Sequence, residues 1–159
     1  MPYVTNLARI GAWISEQTLQ CYNRTSATLN KGDVVAIDLL ASSTEATKVS
    51  EGGVASGWAN VISMATANIA RILVVCVDDD PVEDNELGTF LIHGVVEVEV
   101  AGSTDLDAGE KLVGTNGQTF LSEWATGGYV VGMLLEDATA SASTKLAYFD
   151  GMAWRSEDT

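Results

Sequence analysis

Apolar and polar positions alternate with strand-like spacing along most of this chain, and the clearest case is residues 72–100, ILVVCVDDDPVEDNELGTFLIHGVVEVEV. Ile72 to Val77 is a continuous apolar run rich in β-branched residues, the signature of a strand buried on both faces. Asp78 to Glu86 is too acidic for a core and reads as a solvated connection. Leu87 to His93 returns as a second strand. Gly94 permits a bend, and Val95 to Val100 alternates apolar and acidic, as a half-buried strand does.

The same signals recur elsewhere. Short strands are predicted at Thr18–Tyr22, Val34–Leu40, Leu112–Gly114, Thr119–Trp124, Tyr129–Leu135 and Lys145–Phe149. Turn-rich stretches separate them: Asn23–Lys31, Ala41–Thr47, Ala101–Asp105, Ala125–Gly128 and Glu136–Thr144. Thr115-Asn116-Gly117-Gln118 predicts a tight hairpin in which Asn-Gly takes positive φ angles. Trp58–Arg71 is ambiguous, and a short helix or irregular segment is placed near Ala65–Ala70. Lys31-Gly32-Asp33-Val34-Val35 echoes Ala108-Gly109-Glu110-Lys111-Leu112. The echo reads as shared turn chemistry, because a true repeat would extend further. Strands every 8–15 residues predict an all-β fold, a compact β-barrel or sandwich with at most one or two short helices. The expected organisation is an N-terminal arm, residues 1–17, and a single barrel-like domain, residues 18–159.

Length and composition support one globular body. A chain of 159 residues with 47% hydrophobic residues can build a sizeable core without staples. Its 22 acids against 8 bases give a net charge of −14. Such a chain is repelled by nucleic acid and by anionic membrane, so neither is an expected partner. Eleven of the acids lie between Asp78 and Glu110, where there is no Lys or Arg, so the charge is concentrated on one part of the surface. The first residues lack the basic start and apolar stretch of a secretory signal. No apolar run approaches the roughly 20 residues of a membrane helix. Synthesis in a reducing cytoplasm is expected, with Cys21 and Cys76 as inert buried thiols.

Candidate chemistry is sparse. His93 is the single histidine and reads as structural. Cys21, Cys76 and His93 lack zinc-ligand spacing. The acidic run Asp78–Asp84 lacks the alternating ligands and placed glycine of a calcium loop, and it reads as solvated. Gly52-Gly53 is not followed by the Lys-Ser/Thr of a phosphate-binding loop. No catalytic residue, cofactor or metal is expected.

The order of several short units resembles the decoration, or cement, proteins of tailed-bacteriophage capsids. These units are Lys31-Gly32-Asp33-Val34-Val35, the 72–100 stretch with Gly94-Val95-Val96, Ala108-Gly109-Glu110-Lys111-Leu112, Gly128-Tyr129-Val130-Val131-Gly132 and Ala147-Tyr148-Phe149-Asp150-Gly151. Together they span most of the chain from residue 31 onward. The resemblance implies a β-barrel-like protein on the outer surface of a phage head. It would bridge major capsid proteins and stabilise the shell, and would self-associate as a homotrimer or a dimer. Catalysis is not implied. The alternatives are a head-fibre or tail-associated virion domain and, in a different class, a calcium-dependent or carbohydrate-binding β-module.

Contact residues come from the chain ends, which the resemblance does not reach at the N-terminal side. Tyr3, Leu7, Ile10 and Trp13 put much apolar area into an aperiodic terminus, and Trp154 lies near the other end. Such an arm either packs on its own domain or docks on a partner, and the five residues are the candidate contacts to capsid or protomer.

Overall fold

A computed structural model describes residues 16–38, 59–64, 72–101, 105–125, 129–139 and 143–152. In chain order its strands are β1 (Gln17–Asn23), β2 (Val34–Ile37), β3 (Ala59–Ile62), β4 (Leu73–Cys76), β5 (Leu87–Val100), β6 (Lys111–Gly114), β7 (Leu121–Glu123), β8 (Val130–Leu134) and β9 (Ser143–Asp150). No helix occurs among the described residues, and the fold is all-β. The stretch placed as helix, Ala65–Ala70, lies outside them. The ambiguous segment before it supplies β3, where β-branched Val61 and Ile62 follow the strand preference.

Two stretches read as separate strands, Leu87–His93 and Val95–Val100, form one strand of 14 residues, β5. Gly94, at φ 144°, sits at its middle. β5 changes neighbours there: residues up to His93 pair with β1, and residues from His93 onward pair with β9. The order β1-β3-β2-β4-β5 closes on itself through the β1–β5 pairing. The order β5-β7-β6-β8-β9 closes through β5–β9. The result is two closed five-stranded circuits that share β5. Each described strand has neighbours on both sides.

The two circuits repeat one plan. β1–β3 and β5–β7 are the parallel pairs. Antiparallel β2–β3, β2–β4, β4–β5 and β1–β5 in the first circuit match β6–β7, β6–β8, β8–β9 and β5–β9 in the second. An isolated bridge precedes β2 in one, Leu29↔Val82, and β6 in the other, Leu106↔Ala138. The echo between residues 31–35 and 108–112 belongs to this plan, which corrects its reading as mere turn chemistry. Asp33 N donates to Asn30 O at 3.0 Å, and Glu110 N donates to Asp107 O at 3.2 Å. Gly32 and Gly109 take φ 93° and 100° at the third turn position, where a residue with Cβ is strained. The acid that follows caps its own turn: Asp33 Oδ2 accepts Asn30 N–H at 2.6 Å, and Glu110 Oε2 accepts Asp107 N–H at 3.1 Å. Each turn then docks on the strand opposite, Gly32 N to Cys76 O at 2.9 Å and Gly109 N to Leu134 O at 2.7 Å. Loop lengths differ between the halves, so a fixed sequence period does not form.

Burial follows the topology. The inward residues of the first circuit, among them Cys21, Leu29, Val35, Val61, Val74, Cys76 and Phe90, make one core cluster. The other faces of β2 and β4, Val34, Ala36, Leu73 and Val75, join Leu112, Leu121, Leu134 and Phe149 in a second cluster. This is why β4 is an unbroken apolar run: one face lines a barrel and the other packs on its neighbour. The hairpin β6–β7 forms, but its connection is longer than the two-residue turn expected. Gly114 pairs with Leu121, and only Gly117 of the Asn-Gly pair has positive φ, 71°.

Candidate functional site

The expected contact residues Tyr3, Leu7, Ile10, Trp13 and Trp154 lie outside the described residues. What is described is where their segments join the domain. Gln17, at the start of β1, pairs with His93, and Asp150, at the end of β9, pairs with the same His93. Glu16 packs its side chain over Gly94, whose missing Cβ leaves the room. After Asp150, Gly151 is wedged against β4: its N–H donates to Ile92 O at 2.9 Å, and its carbonyl accepts Leu73 N–H at 3.1 Å. Segments 1–15 and 153–159 are therefore attached at one place on the surface.

His93 itself has a structural setting. Its Nδ1 is 3.8 Å from Asp150 Oδ2, and its ring meets Tyr148 edge-on at 5.6 Å. Burial, and then the charge of Asp150, raises the Tyr148 phenol above its ordinary value. On the same outer face Val95 is opposite Tyr148, Tyr148 opposite Met133, and Met133 opposite Lys111. Lys111 Nζ lies 5.2 Å above the Trp124 ring, a cation–π contact. Met133 and Leu146 are the large apolar residues most exposed on these strands, at 41% and 38%. In the sequence, Gly94 is the sole hint of this junction, because the convergence of β1 and β9 on one residue is a long-range property.

The acidic segment 78–86 is more ordered than a merely solvated connection. Asp78 Oδ2 accepts Thr89 N–H at 2.7 Å. Asp79 pairs with Lys31 at 2.6 Å, which lowers the Asp79 carboxyl and raises the Lys31 ammonium. Glu83 Oε2 accepts the Thr28 hydroxyl at 2.8 Å, and Asp84 Oδ1 accepts Ser26 N–H at 3.0 Å. Arg24 donates to the Asn85 side chain. Buried Asn23 donates from Nδ2 to Val82 O and Ala27 O, at 2.9 and 2.7 Å. The acids thus fasten this loop to residues 24–31. Asp78, Asp79, Asp80, Pro81, Val82, Glu86 and Leu87 line a shallow open depression of about 180 Å³. No group of three or more His, Cys, Asp or Glu placed to hold a metal occurs among the described residues.

The thiols belong to the first core. Burial pushes Cys21 up to about 12 and Cys76 up to about 11, and both are free. No helix among the described residues is long and apolar enough to cross a membrane.

No family model matches the chain, and no curated protein matches it. Among solved structures it is similar to the N base of the head fibre protein gp8.5 of bacteriophage phi29, at 12% identity over 86% of this chain and 95% of that one, with a TM-score of 0.49.

Proposed function

We propose that this chain is a non-catalytic structural protein of a tailed-phage head, held on the outer surface of the shell by its terminal segments. The observation that carries the reading is the common root of those segments at His93, on a body in which each described strand has a neighbour on both sides over at least part of its length. Little continuous free edge is left for a partner strand to add to. Attachment then falls to the terminal segments, with Tyr3, Leu7, Ile10, Trp13 and Trp154, and to outward side chains. Two segments that carry tryptophan and share one root reach the same partner surface together, so modest contacts reinforce one another through effective concentration.

Two modes of attachment fit. In the decoration mode, suggested by the order of the sequence units, copies bridge neighbouring major capsid proteins, as homotrimers or dimers closed by cyclic symmetry. In the head-fibre mode the domain is the foot of a projecting fibre. The phi29 protein's name describes that role, and head fibre is carried beside decoration as an equal reading. Its TM-score of 0.49 lends no structural argument to either mode. The reading has no role for nucleic acid, membrane or cofactor. It places synthesis in the host cytoplasm and the finished protein on the virion.

The test is cosedimentation of the full chain with mature heads of the phage that encodes it, beside a variant lacking residues 1–15. Saturable binding by the full chain, lost by the variant at unchanged melting temperature, is expected. Failure of the full chain to bind heads overturns the reading. Electron microscopy of the loaded particles separates the modes: density at every lattice point means decoration, and density at the feet of discrete projections means a fibre base.

A further inference from the structure

The two repeats can be matched residue by residue. The turns before β2 and β6 align Gly32 with Gly109, so Val34 corresponds to Lys111. Strand pairing carries the match across each sheet. Val34 pairs with Val75 and Val75 with Leu91, as Lys111 pairs with Met133 and Met133 with Tyr148. Ile37 pairs with Val61, three residues before Met64, as Gly114 pairs with Leu121, three residues before Trp124. The row Met64, Val34, Val75 and Leu91 on the first circuit therefore has the row Trp124, Lys111, Met133 and Tyr148 as its counterpart on the second.

The two rows differ in what covers them. On the first circuit all four residues are buried, in one cluster with the inward residues of the second circuit. Backbone bonds fix that cover: Thr119 O accepts Val34 N–H at 2.7 Å, Gly117 N–H donates to Met64 O, and Glu99 N–H donates to Gly32 O at 2.9 Å. The Thr144 methyl fills the space beside Gly32. On the second circuit Lys111 and Met133 are exposed, and Trp124 and Tyr148 are half-buried. Among the described residues nothing lies within 4 Å of the Cβ position of Gly109. The second circuit thus leaves open the face that, on the first, another circuit covers.

We propose that a second copy of this chain covers the row Trp124, Lys111, Met133 and Tyr148, its first circuit taking the place that the second circuit takes within one chain. The contact continues the packing of circuit on circuit across the gap between copies. Glu99 and Thr144, which hold the Gly32 turn, pair with each other as Tyr22 and Leu87 do in the first circuit. Tyr22 and Leu87 are half-buried, and the Gly109 turn of one copy sets against them on the next. Charge agrees with this seating. Leu87 borders the depression lined by Asp78, Asp79, Asp80 and Glu86, which receives Lys111. Arg24, 5.8 Å above the Tyr22 ring, faces Asp107 and Glu110 on either side of the turn. Lys111 lies over Trp124, so its stem adds apolar area while its ammonium reaches the acids. Such a contact joins two different surfaces, and it closes into a ring or runs on as a filament. It gives the self-association of the proposed function a surface and rests on that part of the reading alone.

Sedimentation equilibrium of the full chain tests the contact without heads, so its failure is distinct from a failure of head attachment. In about 0.5 M salt, which screens the repulsion between copies of net charge −14, the mass is expected to rise with concentration above the 16.8 kDa of one chain. Met133→Glu puts a charge into the row, and Leu87→Glu puts one on the covering surface. Each is expected to weaken association about tenfold or more, at a melting temperature that shows the variant folded. Tyr22→Ala replaces Leu87→Glu if that variant folds poorly. Mixed one to one, the two variants keep one intact contact between them, so they are expected to associate as a pair and no further. A single-chain mass at every concentration overturns the proposal, as does association that Met133→Glu leaves unchanged. A mixture no better associated than either variant alone overturns it too, because the copies would then meet through identical surfaces. If removal of residues 1–15 turns a single-chain species into an associating one, the chain's own terminal segment covers the row and the proposal falls.

Discussion

Gly32 shows how much one position can carry. Its φ of 93° belongs to the region that favours glycine, and the space beside it is filled by Thr144. Gly32→Ala is expected to cost about 1–3 kcal/mol from backbone strain, more if Thr144 cannot yield. Gly109→Ala, at φ 100° with nothing near its Cβ position, should cost less. Denaturant midpoints of the two variants check the order. Cys21 and Cys76 carry the opposite kind of expectation. With thiols raised to about 12 and 11 and side chains fully buried, neither should react with an alkylating reagent at pH 8 until the chain unfolds. Rapid labelling of the native protein would show that the first core opens locally.

At the scale of elements, β5 is the strand on which both circuits depend. Phe90 fills the first core and Phe149 the second. Truncation of either to Ala should cost about 3–5 kcal/mol. Because the circuits share a strand, both variants are expected to unfold in one transition, with thiol labelling and far-ultraviolet circular dichroism giving the same midpoint. Separate midpoints would mean that the repeats are independent folding units. The acidic connection before β5 bears on stability only weakly at its exposed pair. Asp79→Asn removes a surface contact to Lys31 and should change stability by about 0–1 kcal/mol. Asp78→Ala strips a half-buried amide of its acceptor and should cost more, about 1–3 kcal/mol. Thermal melts of the two variants distinguish them.

For the whole molecule, the proposed attachment through the terminal segments predicts that binding can be lost without loss of the fold. Removal of residues 1–15 should lower binding to heads by an order of magnitude or more while the melting temperature stays near that of the full chain; equal losses in both would mean that the arm is part of the core. The surface charge acts at the same scale. On the proposed reading, the net charge of −14 keeps crowded copies soluble on the particle and repels phosphate backbones.

Much of this was legible in the chain before any fold was drawn. Period-two patterning and the turn residues marked strands at or near β1, β2, β4 to β9 and the all-β class, because these are local properties of backbone and side chain. The unbroken run at Leu73–Cys76 even announced burial on both faces. What covers those faces was not legible. Whether Leu87–Val100 is two strands or one, and whether 31–35 and 108–112 mark a repeat, depends on pairings between residues far apart, and unequal loops hide the period. The acidic run 78–86 stands out by composition, yet three of its six carboxylates fasten a neighbouring loop. The root at His93 and Gly94, on which the proposed function rests, has almost no composition to mark it. Local chemistry determined what the 72–100 stretch is made of; only tertiary pairing decided that its last strand is shared by two circuits, because a strand has two edges and sequence does not say which neighbours take them.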